Sequence, residues 1–147
     1  MKTDKPLEIS LFLIRISVAA FFLVWAIGKI IAPGITQAVA ESYYSSPVTG
    51  SVSAVIGILQ LAIVLTFLAG LLKTWTYGLL LGMHAVSVLV SLKNLVDPYT
   101  APNYLFWAAI PTLAALIALF LLRERDQLFV LGRRHLSQED TASRQIL

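Results

Sequence analysis

The stretch AAFFLVWAIGKIIAPG, Ala19 to Gly34, decides the fold class of this chain. It ends an apolar run that begins at Ile9 and whose only charged residues before Pro33 are Arg15 and Lys29. A helix needs about 20 residues to cross about 30 Å of hydrocarbon, and this run is long enough to do so. The stretch therefore predicts a membrane-spanning helix with one cation toward each end.

Three further apolar segments of similar length follow the first span, Ile9–Ile31: Val52–Leu72, Trp75–Leu92 and Tyr104–Leu122. The chain is 58% hydrophobic and 13% charged, whereas a soluble domain is roughly half apolar and about 25% charged. None of the segments shows the period-two alternation of a barrel strand. We expect an all-α, antiparallel four-helix membrane bundle in residues 1–122, with helices at about 9–31, 52–72, 75–92 and 104–122, and a basic tail in residues 123–147.

Positive charge lies on one side of the predicted spans. Basic residues precede the first span, separate the second from the third and follow the fourth: Lys2, Lys5, Lys73, Arg123, Arg125, Arg133, Arg134 and Arg144. By the positive-inside rule both termini are cytoplasmic, and an even number of spans agrees with that. The net charge of +3 is accounted for in this way, so nucleic acid is not an expected partner.

A cleaved signal peptide and cysteine-dependent chemistry are the two alternatives to this assignment. Residues 38–40 read AVA and resemble a signal-peptidase site, but the apolar run before them is longer than a signal-peptide core and carries Arg15 and Lys29, which favours a retained span. The chain has no cysteine, which excludes disulfide exchange and thiolate metal sites within it.

The connections carry local signals. Residues 35–44 predict a short interfacial helix, and Lys73-Thr74 predicts a tight hairpin between the second and third spans. Asn103 is a candidate N-cap of the fourth span, and Pro111 inside that span predicts a kink. In the tail, Leu128–Leu131 predicts a short amphipathic helix on the cytoplasmic surface.

Polar residues within the spans are the candidate functional residues, because each needs water or a partner: Arg15, Trp25, Lys29, Gln60, Tyr77, His84, Ser87 and Ser91. Helical side chains lean toward the amino terminus, so Arg15 can reach the near surface while Lys29 leans into the bilayer. Trp25 lies one turn before Lys29, within range of a cation–π contact. We expect Lys29 to reach the second or third span by a hydrogen bond or through water.

The third span has two faces. Tyr77, His84, Ser87 and Ser91 share one by helical spacing, and Gln60 on the second span is their expected partner. His84 is either a structural histidine bonded to Gln60 or a serine, or a proton-transfer group and donor to a quinone carbonyl. Gly78 and Gly82 form a small-xxx-small pattern that predicts close helix packing and a candidate homodimer contact.

The chain resembles the DoxX family of small bacterial membrane proteins, in the wider DoxX and MauE-like group. The resemblance rests on the early Arg15, on Trp25 to Lys29 with its aromatic-x-x-x-Lys spacing, and on the hairpin AVIGILQLAIVLTFLAGLLKTWTYGLLLGMHAVS. It implies an inner-membrane four-helix bundle, in some members the small subunit of thiosulfate:quinone oxidoreductase. Many relatives in this family carry an acidic residue where Gln60 stands, so the resemblance does not extend to a salt bridge from Lys29.

Three functions are compatible with these observations. The first is a non-catalytic accessory or anchor subunit of a membrane redox, quinone-linked or envelope system, with a bound quinone or lipid near Lys29, Trp25, Gln60 and His84 and an oxidoreductase or envelope protein as partner. The second is a scaffold or partner-binding protein without small-molecule chemistry. The third is a small-solute or proton carrier, for which four helices without paired acids give little support.

Overall fold

The computed structural model describes residues 4–131, and within that range the chain forms helices and no strand. The helices are α1 Lys5–Ile31, α2 Pro33–Tyr44, α3 Gly50–Leu68, α4 Lys73–Val90, α5 Leu92–Val96, a 3₁₀ helix Asn103–Ala108 and α6 Ala109–Leu121. The predicted all-α class is confirmed for this part of the chain.

Three helices in the described range are long and apolar enough to cross a membrane: α1, α3, and the 3₁₀ helix together with α6. Helix α4 has 18 residues and is less apolar, because it contains Lys73, Tyr77 and His84. These helices are consistent with a multi-pass membrane protein and indicate association with a lipid bilayer.

Helices α1 and α3 form the most extensive pair. Their contacts run in opposite directions along the two chains: Ser53 Oγ donates to the carbonyl of Lys29 at 2.9 Å, and Gln60 Nε2 donates to the carbonyl of Phe22 at 3.2 Å. Gly57 lies between them, and a Cβ there would be 2.8 Å from the carbonyl oxygen of Ala26. The missing side chain lets the two backbones approach closely.

Helix α4 packs mainly on α6. A Cβ on Gly78 would lie 3.3 Å from the ring of Phe120, whereas one on Gly82 would meet nothing within 4 Å. At Gly78 the small-xxx-small pattern therefore serves packing within the chain. The shared core joins all four long helices: Leu11, Val18, Phe22, Val64, Phe67, Tyr77, Leu80, Leu116 and Leu119.

The connections agree with the sequence in part. The helix expected at residues 35–44 is confirmed as α2. Asn103 is not an N-cap: its Nδ2 donates to the carbonyl of Asp97 at 2.9 Å, and its Oδ1 accepts from Asn94 at 2.6 Å. The prediction of a kink at Pro111 was also wrong, because the α-helix begins only at Ala109, after a 3₁₀ helix. Pro111 thus occupies a first turn, where backbone donors have no helical partner.

We expect Gly57→Leu to lower the free energy of unfolding by about 1–3 kcal/mol, because the added atoms force α1 and α3 apart. The matched control is Gly82→Leu, which adds the same volume where a Cβ meets open space. Thermal unfolding of the purified protein in detergent measures both. Equal midpoints for the two variants would contradict the close α1–α3 contact.

Candidate functional site

A buried ion pair lies at the end of the bundle where α1 begins. Arg15 Nη1 is 3.0 Å from Asp126 Oδ2, and both side chains are 0% exposed. The hydroxyl of Tyr77 donates to the same Oδ2 at 2.6 Å. The three side chains come from α1, from α4 and from the residues after α6, so the carboxylate joins three separate parts of the chain.

Arg15 and a second cation, Lys73, also bond the backbone that follows α6. We call residues 122–131 the closing segment. Arg15 Nη2 donates to the carbonyl of Leu128 at 2.6 Å and to that of Phe129 at 3.3 Å, and Lys73 Nζ donates to the carbonyl of Asp126. The guanidinium therefore bonds one carboxylate and two carbonyls, as its fork of donors allows.

Local structure directs the closing segment back onto the bundle. The amide of Asp126 donates to the carbonyl of Leu122 at 3.2 Å, which forms a turn directly after α6, and the Asp126 side chain is fully buried. Phe129 then has a φ of 51° and reverses the chain. The amide of Leu131 donates to the carbonyl of Ala69 at 2.9 Å, which fixes the segment against the turn between α3 and α4.

Aromatic rings and a glycine pack around Arg15. The Phe12 ring lies 4.9 Å from that of Phe129 between centroids, and the Arg15 guanidinium carbon is 5.4 Å from the Phe12 centroid. Gly70 has a φ of 69°, and a Cβ there would be 2.8 Å from Val130 and 3.1 Å from Arg15 Nη1. Glycine is required at this position both by the backbone angle and by the space.

Two sequence-based expectations for this end were wrong. Arg15 does not reach water, because Asp126 neutralises it inside the protein. Leu128–Leu131 forms turns and not a helix. The packed structure also continues past residue 122, while residues 132–147 of the predicted tail lie outside the described range.

Asp126 was the functional residue that sequence reasoning missed. The signal for it was available: an arginine inside an apolar span needs an acidic partner, and Asp126 follows the last span closely. It stands in the run RERD, which has the composition of a solvated surface. Spacing along the chain gave no indication that this run turns inward.

The predicted pair of Trp25 and Lys29 forms at the other end of α1. Lys29 Nζ is 5.7 Å from the centroid of the Trp25 ring, which confirms the cation–π contact. Lys29 touches α3 through its Cβ at Gly57 and through its carbonyl at Ser53. Within residues 4–131 its ammonium makes no hydrogen bond to the protein, so the direct bond expected to the second or third span is not formed.

His84 and Gln60 do not bond each other. His84 Nε2 is 2.9 Å from the carbonyl of Ala109 on α6, and its ring packs edge-on against Phe21 and Phe22. Gln60 donates to Phe22, and its Oε1 is buried without a protein partner in the described part of the chain. The predicted pairing across the hairpin was therefore wrong, although both side chains are buried as expected.

The expected polar face of the third span is divided. Tyr77 belongs to the ion pair and His84 to the contact with α6. Ser87 is exposed, and its hydroxyl donates to the carbonyl of Met83. Ser91 ends α4 through its backbone amide. Ser87 therefore does not join Tyr77 and His84 in the interior, because the buried positions of α4 continue from His84 to Val88.

A second polar network joins the two long connections. Tyr43 on α2 donates through its hydroxyl to Asn94 Oδ1 on α5 at 3.2 Å, and Lys93 Nζ lies 4.9 Å from the Tyr43 centroid. Asn94 in turn donates to Asn103 of the 3₁₀ helix. These contacts place the connection after α1 and the connection after α4 at the same end of the molecule, away from Asp126.

No protein-family model, curated protein or solved structure matches the chain. Within the described residues, no group of three or more His, Asp or Glu side chains is placed to hold a metal ion.

We expect Arg15→Met and Asp126→Leu each to lower the free energy of unfolding by about 3–5 kcal/mol, because each leaves a buried charge without its partner. The double variant should lose less than the sum, since it removes both charges together. Chemical unfolding of the four proteins in mixed micelles gives the coupling energy.

The matched control is Glu124→Gln, which removes a carboxylate of the exposed pair with Arg123 and should change stability by less than about 1 kcal/mol. Additive losses in the double variant would contradict a coupled ion pair.

Proposed function

We propose that the protein is a four-span, antiparallel bundle of the bacterial inner membrane with both termini in the cytoplasm. We propose further that it acts as a non-catalytic accessory or anchor subunit of a membrane redox, quinone-linked or envelope system. The resemblance of its sequence to the DoxX family supports this role. The observation that carries this proposal is the buried Arg15–Asp126 pair. It uses the buried arginine and its carboxylate partner to hold the chain together, so neither is available for catalysis.

Helix α4 is the proposed fourth span. It lies in the bundle between α3 and α6, and its buried residues Tyr77, Leu80, His84 and Val88 face the other helices. The network around Tyr43 supports a common external side for the two long connections. The basic residues Lys5, Lys73 and Arg123, which lie at or next to helix ends, support a cytoplasmic location for the opposite end.

A non-catalytic role is supported by how the polar side chains are used. Tyr77 and Arg15 bond Asp126, and His84 bonds a backbone carbonyl. Groups occupied in this way fix helix positions instead of being available for proton transfer. Catalysis would then belong to a partner subunit.

The proposed quinone contact depends on two groups that remain available. Gln60 Oε1 is buried without a protein partner, and Lys29 is half-buried beside Trp25 with its ammonium free within the described residues. The carbonyl of a quinone would accept from Lys29, whereas Gln60 Oε1 can only accept and would bind a hydroxyl of the reduced quinol. Without this contact, the same bundle serves as a scaffold or partner-binding protein, which is the second candidate function.

The topology is tested by cysteine accessibility, because the natural chain has no cysteine. We expect a membrane-impermeant maleimide to label Ser45→Cys and Tyr99→Cys in intact spheroplasts. Lys5→Cys and Arg125→Cys should react only after permeabilisation. Opposite labelling of Ser45→Cys and Tyr99→Cys would remove α4 as a span, and the reverse pattern at all four positions would invert the orientation.

The quinone contact is tested by extraction of lipids from the purified protein and by thermal stability with added quinone analogues. We expect quinone to copurify and the analogues to raise the unfolding midpoint. Lys29→Met should lower quinone retention severalfold with little loss of stability, because the ammonium makes no protein hydrogen bond. Lys93→Met, which removes the other cation–π lysine at this end, is the matched control.

If no quinone copurifies and the midpoint does not move, the redox assignment fails and the scaffold function stands. If Lys29→Met and Lys93→Met lose quinone equally, the contact does not lie at Lys29.

A further inference from the structure

A groove of about 610 Å³ opens beside the closing segment. One wall is the turn from Gly70 into α4, and the other is formed by Glu124, Gln127 and Val130. The groove lies where α3 ends and α4 begins, which is the level at which apolar helices leave the hydrocarbon. A groove at this depth faces phospholipid headgroups.

Two opposite charges lie in the described lining of the groove, Lys73 and Glu124. Lys73 uses one of its three N–H donors on the carbonyl of Asp126, which leaves two donors. The backbone N–H groups of Lys73 and Thr74 add to them, because no side chain of the described residues caps α4. The next amide, of Trp75, already donates to the carbonyl of Leu72. One wall of the groove thus suits a phosphate.

Glu124 supplies the complementary site on the opposite wall. Its side chain is 77% exposed, and among the described residues its one ion pair is a 3.7 Å contact with Arg123 Nε. An exposed pair at that distance holds the carboxylate weakly. Glu124 therefore remains able to accept hydrogen bonds from a primary ammonium group.

Apolar side chains beside the groove position it in the membrane surface. Trp75 lines the groove and is 72% exposed, and the neighbouring Leu72 is 68% exposed. Tryptophan at a helix end is typical of the headgroup level, where one part of the ring contacts acyl chains and the N–H contacts water.

We propose that this groove binds the phosphoethanolamine headgroup of a phospholipid, with the phosphate at Lys73 and the ammonium at Glu124. The charge pattern selects this class of lipid. A purely anionic headgroup would meet the Glu124 carboxylate, and a trimethylated choline has no N–H to donate to it. This lipid site is independent of the redox role proposed above.

The test is native mass spectrometry of the full-length protein in detergent, with phosphatidylethanolamine, phosphatidylcholine and phosphatidylglycerol of identical acyl chains added at equal concentration. We expect about tenfold more bound ethanolamine lipid than choline lipid, because one additional charge-assisted hydrogen bond is enough for a tenfold difference in affinity. Stepwise N-methylation of the headgroup should reduce binding at each step, and this series requires no variant.

Glu124→Gln should reduce the preference for ethanolamine over choline to about twofold or less, because the amide carries no charge. Glu8→Gln, an equal change of charge on α1 outside the groove, is the matched control and should keep the preference. Equal binding of the three lipids, or strongest binding of phosphatidylglycerol, would overturn the proposal. A preference that survives Glu124→Gln would assign it to another surface and overturn this site.

Discussion

The ion pair between Arg15 and Asp126 is the interaction on which the rest of the structure depends. A guanidinium that is fully buried among apolar helices is costly unless a carboxylate and further acceptors surround it. Asp126 and the carbonyls of Leu128 and Phe129 meet that requirement. Because the acceptors all follow α6, neutralising Arg15 also fixes the path of the chain after its last long helix.

The remaining contacts hold the bundle at different heights along α1. Gly57 brings α3 against α1 where Ser53 and Gln60 bond its carbonyls. His84 joins α4 to α6 through the carbonyl of Ala109. At the far end the Tyr43 and Asn94 network joins the two long connections. Ser53, Gln60 and His84 each bond a backbone carbonyl, so these helices are held by a few directional bonds within a large apolar core.

The sequence was sufficient for the apolar helices, for α2 and for the contact of Trp25 with Lys29, because each depends on residues near one another in the chain. It was insufficient for the partners of Arg15 and Gln60. Those partners depend on where a surface-like run, RERD, turns back, and on helix rotations that helical spacing leaves open. Ser87 shows the same limit: a rotation of one position moves a side chain from the core to the surface. Pro111 and Asn103 took other roles because a 3₁₀ helix precedes α6.

The buried charges of Arg15 and Asp126 hold the closing segment on the helices, and Asp126 is the residue on which that packing depends. Hydrogen–deuterium exchange of residues 122–131 tests this directly, through the Leu131 amide that bonds Ala69. We expect strong protection of that amide in the natural protein and its loss in Asp126→Asn. Rapid exchange in the natural protein, or equal protection in both, would contradict it.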